Sequence, residues 1–312
     1  MNKIPKVINY CWFGGKPVPD KVRKNIESWK KYCPDFEIKQ WNEKNFNVGC
    51  CKYVKQAFEK KKWAFVSDYA RFWILYNNGG IYFDTDVELI RPLDKIYQNG
   101  AFMAREKSSF NKYKYIVRNK LLAQYKALQV VATEQRNQYT YNDEYVVNPG
   151  LGMGAYPKME FYKEILEIYN NSNFILNDGS ISPVTVVDYT TTLAIQYGLS
   201  VCDDDIEVIS RDKQDIVIYS TKFFCPIDYT SGMVNITDQT IGVHHYDATW
   251  LTNSQKYEKK VIDYLKKHKV NNDYFIKIII LPIRMVEKLQ LLGLKKTITF
   301  VFNKVFNVKD KQ

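Results

Sequence analysis

Asp84-Thr85-Asp86 follows the apolar run Ile81-Tyr82-Phe83 without a break. That order puts two carboxylates at the mouth of a buried strand, where they stay hydrated and share a divalent cation; hard oxygens suit Mn²⁺ or Mg²⁺. A lone DxD triplet is weak evidence, since about one is expected by chance in a chain of this size. Asp203-Asp204-Asp205 makes the point, and reads as a solvated turn. The surroundings of the first triplet raise it. One helix upstream, Asp68 and Arg71 stand i, i+3 on a helical face among Trp63, Phe65, Phe72 and Trp73. A surface salt bridge is one reading, but a bulky apolar helix predicts a partly buried pair, where uncompensated charge is costly and function gains weight. His244-His245 ends a late strand. Neighbours on a strand face opposite sides, so at most one imidazole completes a two-carboxylate cation site, and alone it is as well read as a core histidine. Asn148-Pro149-Gly150-x-Gly152-x-Gly154 reads equally as a floor on which a sugar lies or as a plain turn. Asp188 opens a Thr-rich helix and reads as an N-terminal charge.

The elements that must position these groups alternate short β-rich runs with helical stretches, the pattern of an α/β fold with a largely parallel sheet. Lys6 to Phe13 reads as a buried strand ending at Gly14-Gly15, Asp20 to Cys33 as a helix stopped by Pro34, and Phe36 to Trp41 as the next strand. Trp63 to Asn78 is a helix with an apolar stripe and a Gly79-Gly80 stop. Strands are expected at 81–83, 101–105, 145–148, 207–210, 216–219 and 241–245, and helices at 158–169, 188–197 and 253–267. A Lys- and Tyr-rich helical segment, Lys107 to Tyr141, reads as an insertion. No internal repeat or low-complexity tract is present.

At 312 residues, 46% apolar and 25% charged, the chain is long and ordinary enough to bury a core, which excludes mini-protein, fibrous and wholly disordered classes. Its net charge is +11, but fourteen Lys/Arg against five Asp/Glu lie from Lys256 onward, leaving the rest nearly neutral. A nearly neutral body with a basic tail argues against a protein wrapped around nucleic acid and for a tail that touches something anionic. The six cysteines show no CxxC spacing, which disfavours a structural zinc site or a disulfide framework. The N-terminus lacks a secretory h-region and no run reaches the roughly 18 apolar residues of a membrane span, so folding in the cytoplasm is expected.

In the last forty residues, Lys277, Arg284, Lys288 and Lys295 fall at offsets that align on one helical line amid Ile276, Ile279, Ile280, Ile283, Val286 and Leu289. A basic stripe on an apolar helix is how an interfacial membrane helix is written, although Pro282 interrupts it. The alternative is a C-terminal helix packed on the body. The expected division is a catalytic domain, 1–270, followed by a basic amphipathic helical tail, 271–312.

Several motifs then occur in order: Pro5-Lys6-x-Ile8-x-x-x-Trp12-x-Gly14-Gly15, Ser28-Trp29-x-x-x-x-Pro34-Asp35, Trp41-Asn42, Ser67-Asp68-x-x-Arg71, Gly79-Gly80-Ile81-Tyr82-x-Asp84-x-Asp86, Pro92-Leu93 and His244-His245. Together they resemble the DxD glycosyltransferases of the capsular-polysaccharide and mannosyltransferase OCH1 type (GT32-like), whose signature the clostridial glucosylating toxins share. The resemblance is dense from Lys3 to Asp94 and patchy to Trp250. It implies an α/β GT-A fold, a Rossmann-like mixed sheet flanked by helices. It also implies a nucleotide-diphospho-sugar donor, a Mn²⁺ or Mg²⁺ cofactor and retention of anomeric configuration. By the same resemblance Trp12 stacks on the donor base with Cys11 and Phe13 beside it, and Asp68 and Arg71 hold sugar and ribose. Asp84 meets the sugar-ribose side, Asp86 binds the metal with Asp84, and His245 is the late metal ligand. Trp250, with Thr249 before it, lies near the leaving diphosphate. Asn9 departs from the histidine many relatives carry, and the insertion leaves the acceptor side without analogy.

The function expected from these residues is a cytoplasmic, metal-dependent hexosyltransferase, peripheral on the inner membrane face, extending a lipid-linked capsular or surface polysaccharide from a UDP-sugar. Its partners would be the nucleotide-sugar donor, a saccharide or lipid-linked acceptor and an anionic membrane surface, without nucleic acid. The alternatives are a toxin-like transferase that modifies protein, or a catalytically dead module that binds membrane or nucleic acid.

Overall fold

The computed structural model describes residues 3–107, 145–200, 206–228, 233–247, 253–268, 276 and 278–286. The insertion expected at Lys107 to Tyr141 lies, beyond Lys107, outside the described residues, as do Asp203, Asp204, Asp205, Thr249 and Trp250. The chain divides into two compact units, Met1–Asp247 and Ala248–Gln312, so the division precedes the expected one at 270.

The first unit opens with strand β1 (Val7–Cys11). Helix α1 (Asp20–Tyr32) follows it, then β2 (Glu37–Trp41), α2 (Lys52–Glu59) and α3 (Trp63–Asn78). Next come β3 (Gly80–Tyr82), β4 (Val87–Leu89), the short α4 (Asp94–Tyr97) and β5 (Phe102–Lys107). After the insertion come β6 (Tyr145–Val147), β7 (Met153–Ala155), α5 (Glu160–Asn170) and α6 (Val186–Gln196). The unit closes with β8 (Ile206–Arg211), β9 (Gln214–Tyr219), α7 (Thr221–Phe224) and β10 (Gly242–His244).

The main sheet runs β2-β1-β3-β7-β5-β9-β8, with β6 on β5. Its first three strands are parallel and β7 is antiparallel to both β3 and β5, so the sheet is mixed and flanked by helices. That is the α/β arrangement expected of a GT-A fold. Strand alternation sends Ile8, Tyr10, Ile81 and Phe83 to one buried cluster with Trp29 of α1. Tyr82, Met103 and Met153 go to the other, with α2, α3, α5 and α6.

Two local devices aim the strands at one place. Gly79 caps α3 at φ +66 and Gly80 follows at φ +101, where a Cβ would meet the Val7 carbonyl at 2.8 Å. Only glycines turn the helix directly into β3 there. Helix α1 then clamps the segment beyond β3: Asn25 Nδ2 donates to the Thr85 carbonyl at 2.8 Å, Trp29 Nε1 to the Val87 carbonyl at 2.9 Å, and the Leu89 amide to Ser28 Oγ at 2.9 Å. The Ser28-Trp29 motif is therefore a brace on the DxD loop.

In the second unit, α8 (Asn253–Lys267) and the helical run 278–286 are joined by Arg284, whose Nε donates to Glu258 at 3.0 Å. One member of the expected basic stripe is thus paired within its own unit. Ile276 and Ile280 are buried, and Ile278 and Val286 exposed. Among the described residues no helix is long and apolar enough to cross a membrane.

Candidate sugar-nucleotide site

Arg71 lies 4% exposed in the middle of α3, an address the helix tolerates because its charge is fully engaged. One nitrogen, Nη2, meets Asp68 Oδ1 at 2.9 Å and Asp84 Oδ1 at 3.1 Å; Nε donates to the Ser67 carbonyl at 3.2 Å. The guanidinium stacks over the Tyr82 ring, 5.0 Å from its centre, and Tyr82 donates its hydroxyl to Asp84 Oδ1 at 3.0 Å. One cation thus serves two carboxylates from two elements. Burial pushes Asp68 up to about 7, with Arg71 opposing and the Asp84 charge adding.

The raised Asp68 sets a pH dependence. The folded state keeps a proton that the unfolded chain releases near 3.8, so this carboxylate lowers stability as pH climbs from about 4 to about 7. Asp68→Asn removes that term. Melting temperatures of variant and wild type, measured across that range, should diverge in favour of the variant as pH rises; parallel curves would refute the assignment.

Asp84 is anchored by its amide on the Gly150 carbonyl at 3.0 Å, and its other oxygen, Oδ2, faces Gly150. A Cβ on Gly150 would lie 2.1 Å from Oδ2. The glycine run is therefore in part a bed for this carboxylate and in part strand β7, where Gly154 pairs with Ile81. Asp86 sits at the other side of the loop. Its carbonyl accepts from the His245 amide at 2.9 Å, and its Oδ2 accepts from the Asp247 amide at 3.1 Å with His244 Nε2 at 3.4 Å. Burial pushes the Asp86 carboxyl up, but the His244 contact and the Asp247 amide outweigh it and hold it below its ordinary value.

The imidazole beside the acidic pair is thus His244, not the expected His245. Antiparallel pairing sets His244 opposite Val87 and turns it inward, while His245 Nε2 meets Glu88 Oε2 at 2.8 Å. The residues around Trp12 divide similarly. Cys11 is buried and its thiol is pushed by burial up to about 12, and Phe13 packs edge-on to Phe46. Trp12 is half-buried, with Nε1 on the Lys16 carbonyl at 2.7 Å, and its ring is the one of the three outside the core. Asn9 is structural: its amide bridges Trp41 Nε1 at 2.8 Å and the Ile81 carbonyl at 3.1 Å.

Glu106 is a site residue that the sequence reading missed. At the end of β5 it accepts from Asn148 Nδ2 at 2.9 Å and lies 4.0 Å from His244 Nδ1. Its only sequence signal was its place on a strand running toward the same edge as β3.

Asp84 and Asp86 fit a hard divalent cation: the Asp84 carboxylate is fixed by Arg71 and Tyr82 and that of Asp86 by the Asp247 amide and His244, each is partly exposed, and the bare Gly150 leaves Oδ2 room. Residues 19–103 match the family described as a glycosyltransferase sugar-binding region containing a DXD motif. Over 112 residues the chain is 27% identical to inositol phosphoceramide mannosyltransferase 1 of Schizosaccharomyces pombe, covering 33% of this chain and 34% of that protein. The chain thus spans about a third of the length of this curated relative. Two solved structures are also similar. One is the PaToxG glycosyltransferase, 15% identical, TM-score 0.40, over 62% of this chain and 70% of that one. The other is a glycosyltransferase involved in the glycosylation of the major capsid of PBCV-1, 10% identical, TM-score 0.38, over 79% and 95%. The matched segment holds the braced loop, Asp68, Arg71, Asp84 and Asp86, and over it the chain is similar to the DXD-containing glycosyltransferases.

Proposed function

We propose that the chain is a metal-dependent, retaining glycosyltransferase that moves a hexose from a nucleotide-diphospho-sugar, with UDP as the nucleotide, to a saccharide acceptor. The observation that carries this reading is the single buried guanidinium of Arg71 joining Asp68 to Asp84 beside the Asp86–His244 pair. Breaking a glycosyl–phosphate bond builds negative charge on the diphosphate, and a Mn²⁺ or Mg²⁺ ion held by Asp84 and Asp86 supplies the countercharge. Arg71 and Asp68 orient the sugar through hydrogen bonds, and the half-buried Trp12 offers a face to the base. Orientation plus charge stabilisation suffices for the acceptor hydroxyl to attack from the leaving-group side without a protein nucleophile; a trapped glycosyl-enzyme adduct would overturn that step.

The acceptor in this reading is lipid-linked, an intermediate of a surface polysaccharide, and the basic second unit sits on an anionic membrane surface. The basic excess after Lys256 and the lipid acceptor in the relative's name support it. Sugar label recovered in protein rather than in solvent-extractable lipid would favour the toxin-like alternative instead.

A thermal-shift panel of nucleotides and nucleotide-sugars with and without Mn²⁺ tests the donor. Only ligands that bind the folded chain raise its melting point, by about 2.7 kcal/mol of stabilisation at a hundredfold excess over Kd. A UDP-sugar should do so only with the ion present, and a panel without any shift refutes the reading. Gly150→Ala should cut turnover about a hundredfold with the fold retained, because the new methyl displaces Asp84 Oδ2 while the backbone there needs no special conformation. Initial rates beside circular dichroism check it.

A further inference from the structure

His244 is buried to 8% exposure, yet its Nδ1 has no hydrogen-bond partner. Its Nε2 points at Asp86, an arrangement that leaves Nδ1 facing away from the DxD loop. What it faces is Glu106 and Cys225: one ligand atom from each of Glu106, Cys225 and His244 lies within 4.8 Å of the others. All three atoms are acceptors when deprotonated, and a buried group of acceptors calls for a shared cation.

We propose that Glu106, Cys225 and His244 form a second metal site, distinct from the DxD carboxylates and selective for a borderline ion such as Zn²⁺. Nitrogen, sulfur and oxygen together suit zinc and disfavour Mg²⁺ or Mn²⁺. Bonds of about 2.0 to 2.3 Å require ligand atoms about 3.3 to 3.8 Å apart, so the three side chains draw inward by modest rotamer changes. The surroundings fit. Asp86 stands to His244 as the carboxylate that orients a metal-bound imidazole. Tyr246 places its hydroxyl 2.7 Å from Cys225 Sγ and its ring 4.3 Å from that of His244. It does so from a backbone at φ +51, a left-handed conformation that is costly for tyrosine and is held where a site needs it. The ion would tie β5, α7 and β10 together behind Asp86, and the inference does not depend on the donor assigned above.

Cobalt reports the site directly. Metal-stripped full-length chain carrying Cys50→Ser and Cys51→Ser, which removes the exposed Cys50 thiol and its half-buried neighbour, is titrated with Co²⁺. One equivalent should bind with a thiolate-to-cobalt charge-transfer band, and Zn²⁺ should displace it. Cys225→Ser should abolish the band, and Asp84→Asn should leave it intact. If Cys225→Ser does not fold, Glu106→Gln replaces it, with affinity expected to fall at least about tenfold. No band, a band that survives Cys225→Ser, an affinity unmoved by Glu106→Gln, or a band lost with Asp84→Asn each overturns the proposal. In the first case a proton on His244 satisfies the cluster instead.

Discussion

Asp86→Asn should lower donor turnover at least about a thousandfold while leaving the protein folded. Asparagine keeps the shape of the side chain and an oxygen for the Asp247 amide, so the segment 245–247 stays clasped to the DxD loop. What disappears is the charge. The carboxylate is held ionised against its own burial by His244 and by the Asp247 amide, a cost sustained only where the charge has work to do. Losing one charged hydrogen bond costs about 1.5 to 3 kcal/mol of stability, which in a protein of this size lowers the melting temperature by no more than about 12 °C. Rates with donor and excess Mn²⁺, measured beside melting curves, separate the two effects. Turnover near the wild-type level, undiminished by chelator, would sink the assignment of this loop to charge stabilisation.

Much of this loop was legible because local rules and tertiary need agree there. The apolar stripe and Gly79-Gly80 gave α3 its bounds, Trp63 to Asn78, and the following strand and DxD fell where periodicity put them. Where signals depend on pairing, sequence was blind. Alternation established that only one of His244 and His245 faces the acidic pair, but the choice rests on the register of β10 against β4, a three-residue strand with no pattern long enough to read. Helix α2 escaped because Cys50-Cys51 and a run of lysines obscure its apolar face of Tyr53, Val54 and Ala57. Strand β7 looked like a glycine turn, since Gly154 is demanded by the Phe102 ring, which a Cβ there would meet at 2.4 Å. Glu106 and Cys225 come from elements 119 positions apart, and no local motif joins them to His244.

The largest structural effect is expected at Arg71. Arg71→Met fills a similar volume but leaves Asp68 and Asp84 without their shared cation, and breaking a buried pair from one side costs about 3 to 5 kcal/mol. At 2 to 4 °C per kcal/mol the melting temperature should fall by about 6 to 20 °C at neutral pH. The deficit should widen as pH rises above about 7. With the arginine gone, Asp68 is raised further above its value of about 7, so above that pH the folded wild type releases a proton that the folded variant still holds. Adding Asp68→Asn to Arg71→Met should recover part of the stability at neutral pH, because it removes a buried carboxyl that must hold a proton the unfolded chain releases near 3.8. It should recover no activity, because orientation of the sugar needs the guanidinium. Lysine is not an equivalent: a single ammonium reproduces neither the Nε bond to Ser67 nor the stacking on Tyr82. Stability that returns with the double substitution while turnover does not would show that this arginine is held in the core for the ligand it positions, since packing alone would be restored by either change.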